Sequence, residues 1–587
     1  MEMDSKKPKT TQKVSRKKGG LITMPFIIAN ETLEKVSSFG LHANMVSYLI
    51  TQYHMDNAPA INTLFLWGAI TNFLPIFGAF LSDAFLGRFR TIALGTVVSL
   101  LGMLVLWLTS LFPQARPERC DDPNPANCEP AKPAHLLLLL TSFGLMSIGA
   151  AGIRPCSMAF GADQIYNPDN PKNERVLQSF FNWYYASVGI SIMFAVTVIV
   201  YIQDAAGWIV GFGIPVGVML LATVMFLVGS FLYVNVKANK NLFAGLGHVI
   251  VAAWRNRHLS SPPKDFDGWY YHKGAKFVTP TNKLRFLNKA CIIKSREKDL
   301  NPQGLAIDPW SLCTVKQVEE LKAIIKVLPI WSTGIVIAVT ISQYSFHLLQ
   351  AKTMDRHFIS NFKIPAGSFG VFSILTLTIW VSIYDLAVVR FLSKFTKHPN
   401  GLSYKQKMGI GLLISIVATA VSAEVERRRR KIAIQEGFVD NPFGVLSMSA
   451  MWLIPQNCLT GLGEAFNAIG QIQFYYSQFP KSMASIAVAL FSLGMGMGNL
   501  LGALIVWSVD NLSKKGGGVS WVSNNLNQGH YDYYYWLITL LCVANFFYYL
   551  LCSWAYGSED DAIWDEEYNI KEETILVPVE SPVVFSA

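Results

Sequence analysis

Long apolar segments alternate with polar intervals from residue 27 to residue 556. Each apolar segment is long enough to cross a hydrocarbon core of about 30 Å as a helix. Counted from the first, they predict twelve membrane-spanning helices, called spans 1 to 12 below. They cover residues 27–53, 61–85, 92–112, 135–163, 177–202, 207–234, 327–349, 367–391, 408–426, 446–478, 484–509 and 533–556. The pattern predicts an all-α membrane protein.

The longest polar interval, residues 235–326, divides the spans into two groups of six. This layout is typical of carriers built from two pseudo-symmetric six-helix bundles, with a substrate site between them near the midplane. We therefore predict an N-terminal bundle over 26–234, a cytosolic linker over 235–326 and a C-terminal bundle over 327–556. A basic tail, 1–25, and an acidic tail, 557–587, flank the bundles.

A faint internal repeat agrees with two related halves. Asp83 and Arg88 lie at the end of span 2, and Asp385 and Arg390 lie at the end of span 8, with the same five-residue separation.

Composition supports the membrane class. Hydrophobic residues make up 51% of the chain and charged residues 15%, whereas about 25% of residues in soluble proteins are charged. The net charge of +10 does not predict a nucleic-acid partner, because the basic residues are scattered over loops. An anionic cytoplasmic leaflet attracts Lys and Arg in such loops. The predicted partners are the lipid bilayer, a small-molecule substrate and protons.

The distribution of positive charge predicts the orientation. With the N-terminus inside, inner segments and tails hold 34 of the 49 Lys and Arg, and outer loops hold 13. Basic residues favour the cytosolic side, so both termini are predicted to be cytosolic. The basic run 427–431, in an outer loop, is a local exception. The first 20 residues hold seven Lys or Arg and no apolar core, which is not the pattern of a signal peptide.

Five ionisable residues interrupt the apolar spans. Glu31, Glu34 and Lys35 are spaced i, i+3, i+4 in span 1 and so share one helical face, with Glu31 and Lys35 in pairing register. Arg154 lies in span 4 and Glu464 in span 10. A charge at bilayer depth is costly unless it meets a partner or a wet cavity, which makes it a candidate functional residue.

Several other kinds of chemistry find no motif. The chain has no Gly-Lys dipeptide and therefore no P-loop, so a gradient rather than ATP on this chain is expected to drive transport. No CxxC is present and no two His lie within five residues, which predicts no metal site. We predict a protein that is not an enzyme and has no cofactor besides protons. Cys120 and Cys128 share one outer loop and are a candidate disulfide in an oxidising compartment.

Sequence motifs carry a family resemblance over residues 20–556. The motifs are Glu31–Lys35 in span 1, Gly78–Arg88 after span 2, Gly152–Pro155 followed by Phe160–Gln164 in span 4, Phe180–Tyr185 in span 5, Glu464–Phe466 with Gln471 in span 10, and Pro480–Met483. Together they resemble the plant nitrate/peptide transporter family, the proton-coupled oligopeptide transporter branch of the major facilitator superfamily. The resemblance implies a proton-coupled symporter, with a plasma-membrane location expected.

The resemblance also suggests roles for individual residues. It implies proton coupling by Glu31, Glu34 and Lys35, and substrate binding by Arg154 and Glu464. Gly78, Asp83, Gly87 and Arg88 match a loop signature that is expected to form a structural latch at the cytoplasmic helix ends. Thr91, behind Arg88 and Arg90, is a candidate phosphorylation site for a regulatory kinase.

Two cations depart from the family pattern. The common span-4 cation is Lys, and here it is Arg154, which stays charged and binds planar oxyanions through two parallel hydrogen bonds. Lys35 stands where the first motif commonly ends in Arg. With all five charges ionised, the set sums to −1, and one proton makes it neutral. An anion is therefore expected to bind after protons arrive, so that proton and substrate become linked ligands.

The substrate is the least determined feature. Low-affinity nitrate uptake is favoured, because the family resembled is rich in nitrate carriers and Arg154 suits a planar oxyanion. Against nitrate, some nitrate-carrying members place a histidine in span 7, where this chain has none and Gln343 is the candidate substrate contact. Glycosides such as glucosinolates, hormones, and di- or tripeptides are the alternatives.

Overall fold

The computed structural model describes residues 19–118, 129–165, 173–234, 242–259, 270–272, 279–359, 362–396, 401–479 and 483–557. The candidate disulfide Cys120–Cys128, most of both tails and residues 480–482 lie outside the described residues.

The described residues form a helical protein with four short strands. The helices are α1 (Met24–Ala43), α2 (Met45–Tyr53), α3 (Asn57–Leu81), α4 (Arg88–Leu111), α5 (Pro133–Ile165), α6 (Asn173–Phe194), α7 (Val200–Val228), α8 (Leu242–Arg255), α9 (Arg285–Asn288), α10 (Arg296–Asp299), α11 (Val315–Ile341), α12 (Tyr344–Lys352), α13 (Val371–Ile383), α14 (Val389–Thr396), α15 (Tyr404–Gln435), α16 (Ile454–Gln478), α17 (Ala484–Ser513) and α18 (Tyr531–Tyr556). The strands are β1 (Met354–Asp355), β2 (His357–Ile359), β3 (Phe362–Lys363) and β4 (Leu446–Ser449). β1 pairs in parallel with β4, and β2 pairs antiparallel with β3.

The twelve predicted spans correspond to helices of this set. Span 1 is α1 with α2, span 7 is α11 with α12, and the other ten contain α3 to α7, α13 and α15 to α18. Among the described residues, nine helical stretches are long and apolar enough to cross a membrane, and one of them, Ser179–Phe231, contains both span 5 and span 6. Spans 1 and 10 fall outside this apolar set. They are the spans that carry Glu31, Glu34 and Lys35, and Glu464.

Irregular turns mark corresponding places in the two halves. A π-helical turn at Ser82–Leu86 ends span 2, and another at Tyr384–Val388 ends span 8. They coincide with the Asp83/Asp385 repeat in the sequence. A π turn contains an extra residue per turn and often marks a functional position. The matching irregularities support an internal repeat of the two bundles.

Spans 5 and 6 form a nearly continuous helical stretch with a sharp kink. Gly207 has a φ of +77° inside α7, while the residues around it are helical. A residue with a Cβ rarely adopts this left-handed backbone, whereas glycine does so at little cost. The glycine therefore allows the chain to reverse without a long loop.

Span 7 begins earlier than hydropathy predicts. α11 starts at Val315 rather than at residue 327, and Thr314 caps it. The Thr314 side chain accepts from the Gln317 backbone N–H, and the Gln317 side chain accepts from the Thr314 backbone N–H, which is a capping box. The added turns are polar, so a hydropathy pattern does not reveal them.

The described part of the linker packs on these extra turns of α11. Val249, Ala252 and Ala253 of α8 share a small apolar core with Val318 of α11. Thr281 donates to Glu319 Oε2 at 2.8 Å, and Lys322 Nζ lies 2.7 Å from Glu319 Oε1.

The thiols of Cys291 and Cys313 belong to the same linker core, and burial raises the pKa of each to about 12. At neutral pH they are therefore protonated, small apolar groups.

The two bundles meet closely at the end remote from the termini, called the distal end below. Asn57, at the start of α3, donates from its side chain to the Ser523 and Asn524 carbonyls at 3.1 and 3.3 Å. Lys352 Nζ lies 2.5 Å from Ser47 Oγ, and Tyr344 contacts His42. These contacts close the distal end of the interface between the bundles.

The basic run 427–431 lies on a continuation of α15 beyond span 9. Arg429 is fully buried and pairs with Glu426 at 2.8 Å. Glu424 pairs with Arg427 and Arg428 at 2.8 and 2.9 Å. The exception in the charge distribution is thus partly explained by acidic residues one turn earlier on the same helix.

Gly78 is the point of closest approach between α3 and α5. A Cβ at this position would overlap the Ala151 carbonyl oxygen. We expect Gly78→Ala to destabilise the N-terminal bundle by about 1–3 kcal/mol, because backbone atoms must shift to make room. Thermal unfolding of purified protein would measure the loss. Gly144→Ala is the matched control on α5, where an added Cβ meets nothing within 4 Å, and equal melting temperatures for both variants would contradict the expectation.

Candidate functional site

The charges of span 1 form a compact buried cluster. Lys35 Nζ lies 3.0 Å from Glu31 Oε1 and 3.0 Å from Glu34 Oε2, so one ammonium group bridges two carboxylates. Glu31 is 2% exposed and Glu34 is fully buried. The i, i+3, i+4 spacing on α1 places the three side chains on the same face, as the sequence indicates.

Glu34 connects this cluster to span 4. Its Oε1 accepts a hydrogen bond from Ser38 at 2.7 Å and lies 3.8 Å from Arg154 Nη2. The Arg154 contact is at the long limit of an ion pair, and the Arg154 Nε is buried with no hydrogen-bond partner among the described residues. Buried donors are normally satisfied, so an unpaired one indicates a place for an additional acceptor.

Glu31 also has an unsatisfied atom. Its Oε2 is buried and makes no hydrogen bond within the described parts of the chain. Tyr184 of α6, from the aromatic motif of span 5, interacts with this carboxylate. An unpaired carboxylate oxygen in a buried cluster is a suitable position for a proton, because protonation removes an uncompensated charge.

Glu464 of α16 lies apart from the span-1 cluster. It is half-buried and forms no ion pair or hydrogen bond with any residue that the structure describes. This geometry does not match a permanent interhelical salt bridge. It is compatible with a carboxylate whose partner is bound in another state of the molecule.

Gln343 does not lie with the charge cluster, and the sequence-based expectation for this residue needs correction. Its Nε2 donates to the Val339 carbonyl at 2.8 Å, and its Oε1 accepts from the Tyr534 hydroxyl at 3.0 Å. The residue is buried where α11 breaks before α12, so the amide satisfies backbone and side-chain groups within the C-terminal bundle. The next residue, Tyr344, contacts the N-terminal bundle instead.

The latch residues come together at the terminal end of spans 2 to 4. Arg88 Nη1 lies 2.6 Å from Asp163 Oδ2, and Arg88 Nε lies 3.9 Å from Asp83 Oδ1. Gly87 has a φ of +78° between the π turn and α4. Asp163 is thus the nearer partner of Arg88, and sequence reasoning missed it although it lies in the Phe160–Gln164 motif.

Thr91 is buried in α4, and its hydroxyl donates to the Gly87 carbonyl at 3.0 Å. A kinase requires an accessible hydroxyl, so this geometry counts against phosphorylation of Thr91 in the described conformation. The residues described also contain no group of three or more His, Cys, Asp or Glu side chains arranged to hold a metal ion.

The fold and the buried charges define a class of protein: a multi-pass membrane transporter made of two six-helix bundles. Residues 89–522 match the family model "PTR2: POT family". The chain belongs to this family, within its NRT1/PTR group, because two Arabidopsis thaliana proteins are similar over nearly their whole length. "Protein NRT1/PTR family 1.2" is 50% identical over 97% of this chain and 95% of its own length, and "Protein NRT1/PTR family 1.1" is 52% identical over 94% of each.

Solved structures support the fold. The crystal structure of an auto-inhibited POT family peptide transporter covers 92% of this chain and 98% of its own, with a TM-score of 0.67 and 20% identity. The POT family transporter PepTSo matches with a TM-score of 0.66 and 17% identity. The resemblance noted in the sequence, and the twelve-helix fold predicted from it, are confirmed.

The gating hypothesis for Glu464 leads to a testable expectation. Glu464→Gln should leave the amount of protein in the membrane near normal, since no ion pair of the described residues is broken. Net uptake should be lost, while exchange of labelled for unlabelled substrate should persist if the loaded carrier still reorients. Surface biotinylation with paired uptake and counterflow assays would measure this. Normal net uptake at a normal surface level would contradict the assignment.

Proposed function

We propose that this protein is a proton-coupled symporter that takes up nitrate across the plasma membrane, with both termini in the cytosol. The observation that carries the proposal is the loose contact between Arg154 and Glu34, 3.8 Å long, beside an unpaired Arg154 Nε. A planar oxyanion accepts two parallel hydrogen bonds from a guanidinium group. Arg154 is therefore suited to exchange Glu34 for a bound anion.

This exchange provides a route to coupling. While Glu34 is ionised, it competes with an anionic substrate for Arg154. Protonation of Glu34 removes the competitor, and the guanidinium group is then free to bind the substrate. A bound anion in turn favours the protonated form of Glu34, since linkage between two ligands is reciprocal.

The membrane potential sets the required number of protons. Moving one charge costs about 2.3 kcal/mol per 100 mV, so a monoanion that enters a negative cell needs one proton to be electrically neutral. A second proton makes uptake electrogenic and downhill. Glu31, with its unpaired Oε2, is the candidate for the second proton.

Electrophysiology of the full chain in oocytes tests this function. Nitrate should evoke an inward current at acidic external pH that declines at neutral pH, because the proton gradient is then removed. Dipeptides and a glucosinolate, tested in the same cells, represent the alternative substrates. Proton-dependent current with one of these and none with nitrate would overturn the nitrate assignment and retain the symporter. No proton-dependent current or uptake with any of them, in cells with verified surface protein, would overturn the proton-coupled function.

A further inference from the structure

A polar line runs along α1 from the charge cluster to the distal end. Glu34, Ser38 and His42 are spaced i, i+4, i+8, which places them on one side of the helix at successive turns. At the inner end of this line, the Ser38 hydroxyl donates to Glu34 Oε1 at 2.7 Å. The proposed proton acceptor thus already has a hydroxyl group hydrogen-bonded to it.

At the distal end, the line reaches the other bundle. The Tyr344 hydroxyl of α12 lies 2.9 Å from His42 Nδ1 and 3.2 Å from its Nε2. The imidazole is half-buried, and its ring lies 4.8 Å from the Trp67 ring of α3 and 5.2 Å from that of Tyr344. Arg154 of α5 is the charged residue that acts on His42 from a neighbouring helix. The titratable and charged groups facing His42 are therefore Tyr344, Arg154 and, two turns along its own helix, Glu34.

We propose that His42 transfers protons between the distal side of the protein and Glu34, with Ser38 as the intermediate hydroxyl. One ring nitrogen accepts a proton from the distal side, and the other nitrogen gives its proton to the Ser38 oxygen. Ser38 passes its own hydroxyl proton to Glu34 Oε1. Each group thus gains one proton and loses one, and the single net change is protonation of Glu34.

Histidine is the side chain best suited to this task, because its two nitrogens exchange protons near neutral pH. The proposal rests on the proposed function, in which Glu34 accepts the coupling proton. A purely structural alternative is that His42 and Tyr344 hold the distal interface closed through their hydrogen bond.

Three variants separate the two explanations. His42→Gln retains an amide that can hydrogen-bond to Tyr344 but cannot transfer protons. Tyr344→Phe removes the hydrogen bond and keeps the imidazole. His135→Gln is the control, since this histidine lies at the start of α5 and outside the polar line.

The full chain is reconstituted in liposomes, and labelled nitrate is used to compare uptake driven by a pH gradient with exchange under equal pH. His42→Gln should lower proton-driven uptake by about tenfold or more, as expected when a positioned acid–base group is lost. Exchange should stay near that of the unmodified protein. Tyr344→Phe and His135→Gln should reduce proton-driven uptake much less. Added imidazole should partly restore proton-driven uptake in His42→Ala.

The outcomes that overturn the relay are distinct. Unchanged proton-driven uptake in His42→Gln, an equal loss of uptake and exchange, or an equally large loss in Tyr344→Phe would each reject it. Glu34→Gln is assayed in parallel. If that variant loses proton-driven uptake while His42→Gln does not, the relay fails and the proposed function stands. If Glu34→Gln retains it, the proposed proton site itself fails.

Discussion

Glu34→Gln is expected to abolish uptake driven by a pH gradient while leaving the protein in the membrane. The amide is similar in size to the carboxyl group and imitates its protonated form, so it no longer competes strongly for Arg154. Substrate binding should therefore lose its dependence on pH, and exchange of substrate at equal pH should persist. Uptake with and without a proton gradient, normalised to surface protein, measures both effects.

Glu31→Gln provides the comparison within the same cluster. Glu31 does not contact Arg154 among the described ion pairs, and its Oε2 has no hydrogen-bond partner in the described residues. If Glu31 carries the second proton, the variant should transport with fewer charges per substrate rather than bind without regard to pH. Undiminished acid-stimulated uptake in both variants would remove the proton site from this cluster.

Hydropathy predicts the spans well because the thickness of the bilayer fixes the length of a crossing helix. It fails where a helix leaves the membrane. The first turns of α11 contain Lys316, Glu319 and Lys322, and their helical state depends on the capping box and on packing against the linker. These interactions join residues far apart in the sequence, which local periodicity does not report.

The candidate site was predicted in part, for the same reason. Spacing on one helix brings Glu31, Glu34 and Lys35 together, so the sequence is sufficient for that cluster. The contact of His42 with Tyr344 joins residues 302 positions apart, and no pattern along the chain indicates it. Gln343 was selected by its position in a motif, but the break between α11 and α12 directs Tyr344, its neighbour, toward the other bundle.

The Lys35 departure acquires a physical meaning from the geometry. A single ammonium group at 3.0 Å from both carboxylates acts as a point charge without the planar fork of an arginine. It leaves Glu31 Oε2 unpaired. An arginine at this position would offer five N–H donors and would satisfy more of the carboxylate oxygens. The lysine thus keeps one carboxylate oxygen available for a proton.

Arg154→Ala is expected to cause the largest loss of substrate affinity. Charge-assisted hydrogen bonds contribute about 1.5–3 kcal/mol, which corresponds to a loss of roughly 10- to 150-fold in affinity for the anion. Arg154→Lys should fall between the two, because it keeps a positive charge and loses the two parallel hydrogen bonds of the guanidinium group. Concentration dependence of nitrate uptake at fixed acidic pH measures the apparent affinity of each variant.

The two substitutions also test which oxyanion geometry the site recognises. A planar anion should distinguish Arg154 from Lys strongly, whereas a substrate held by charge alone should bind similarly to both. Arg116→Ala is a control for the loss of a positive charge at the distal end, since Arg116 contacts Gln52 rather than the cluster. An Arg154→Ala protein that transports nitrate with normal apparent affinity would show that the anion is bound elsewhere, and the coupling through Glu34 would then lose its physical basis.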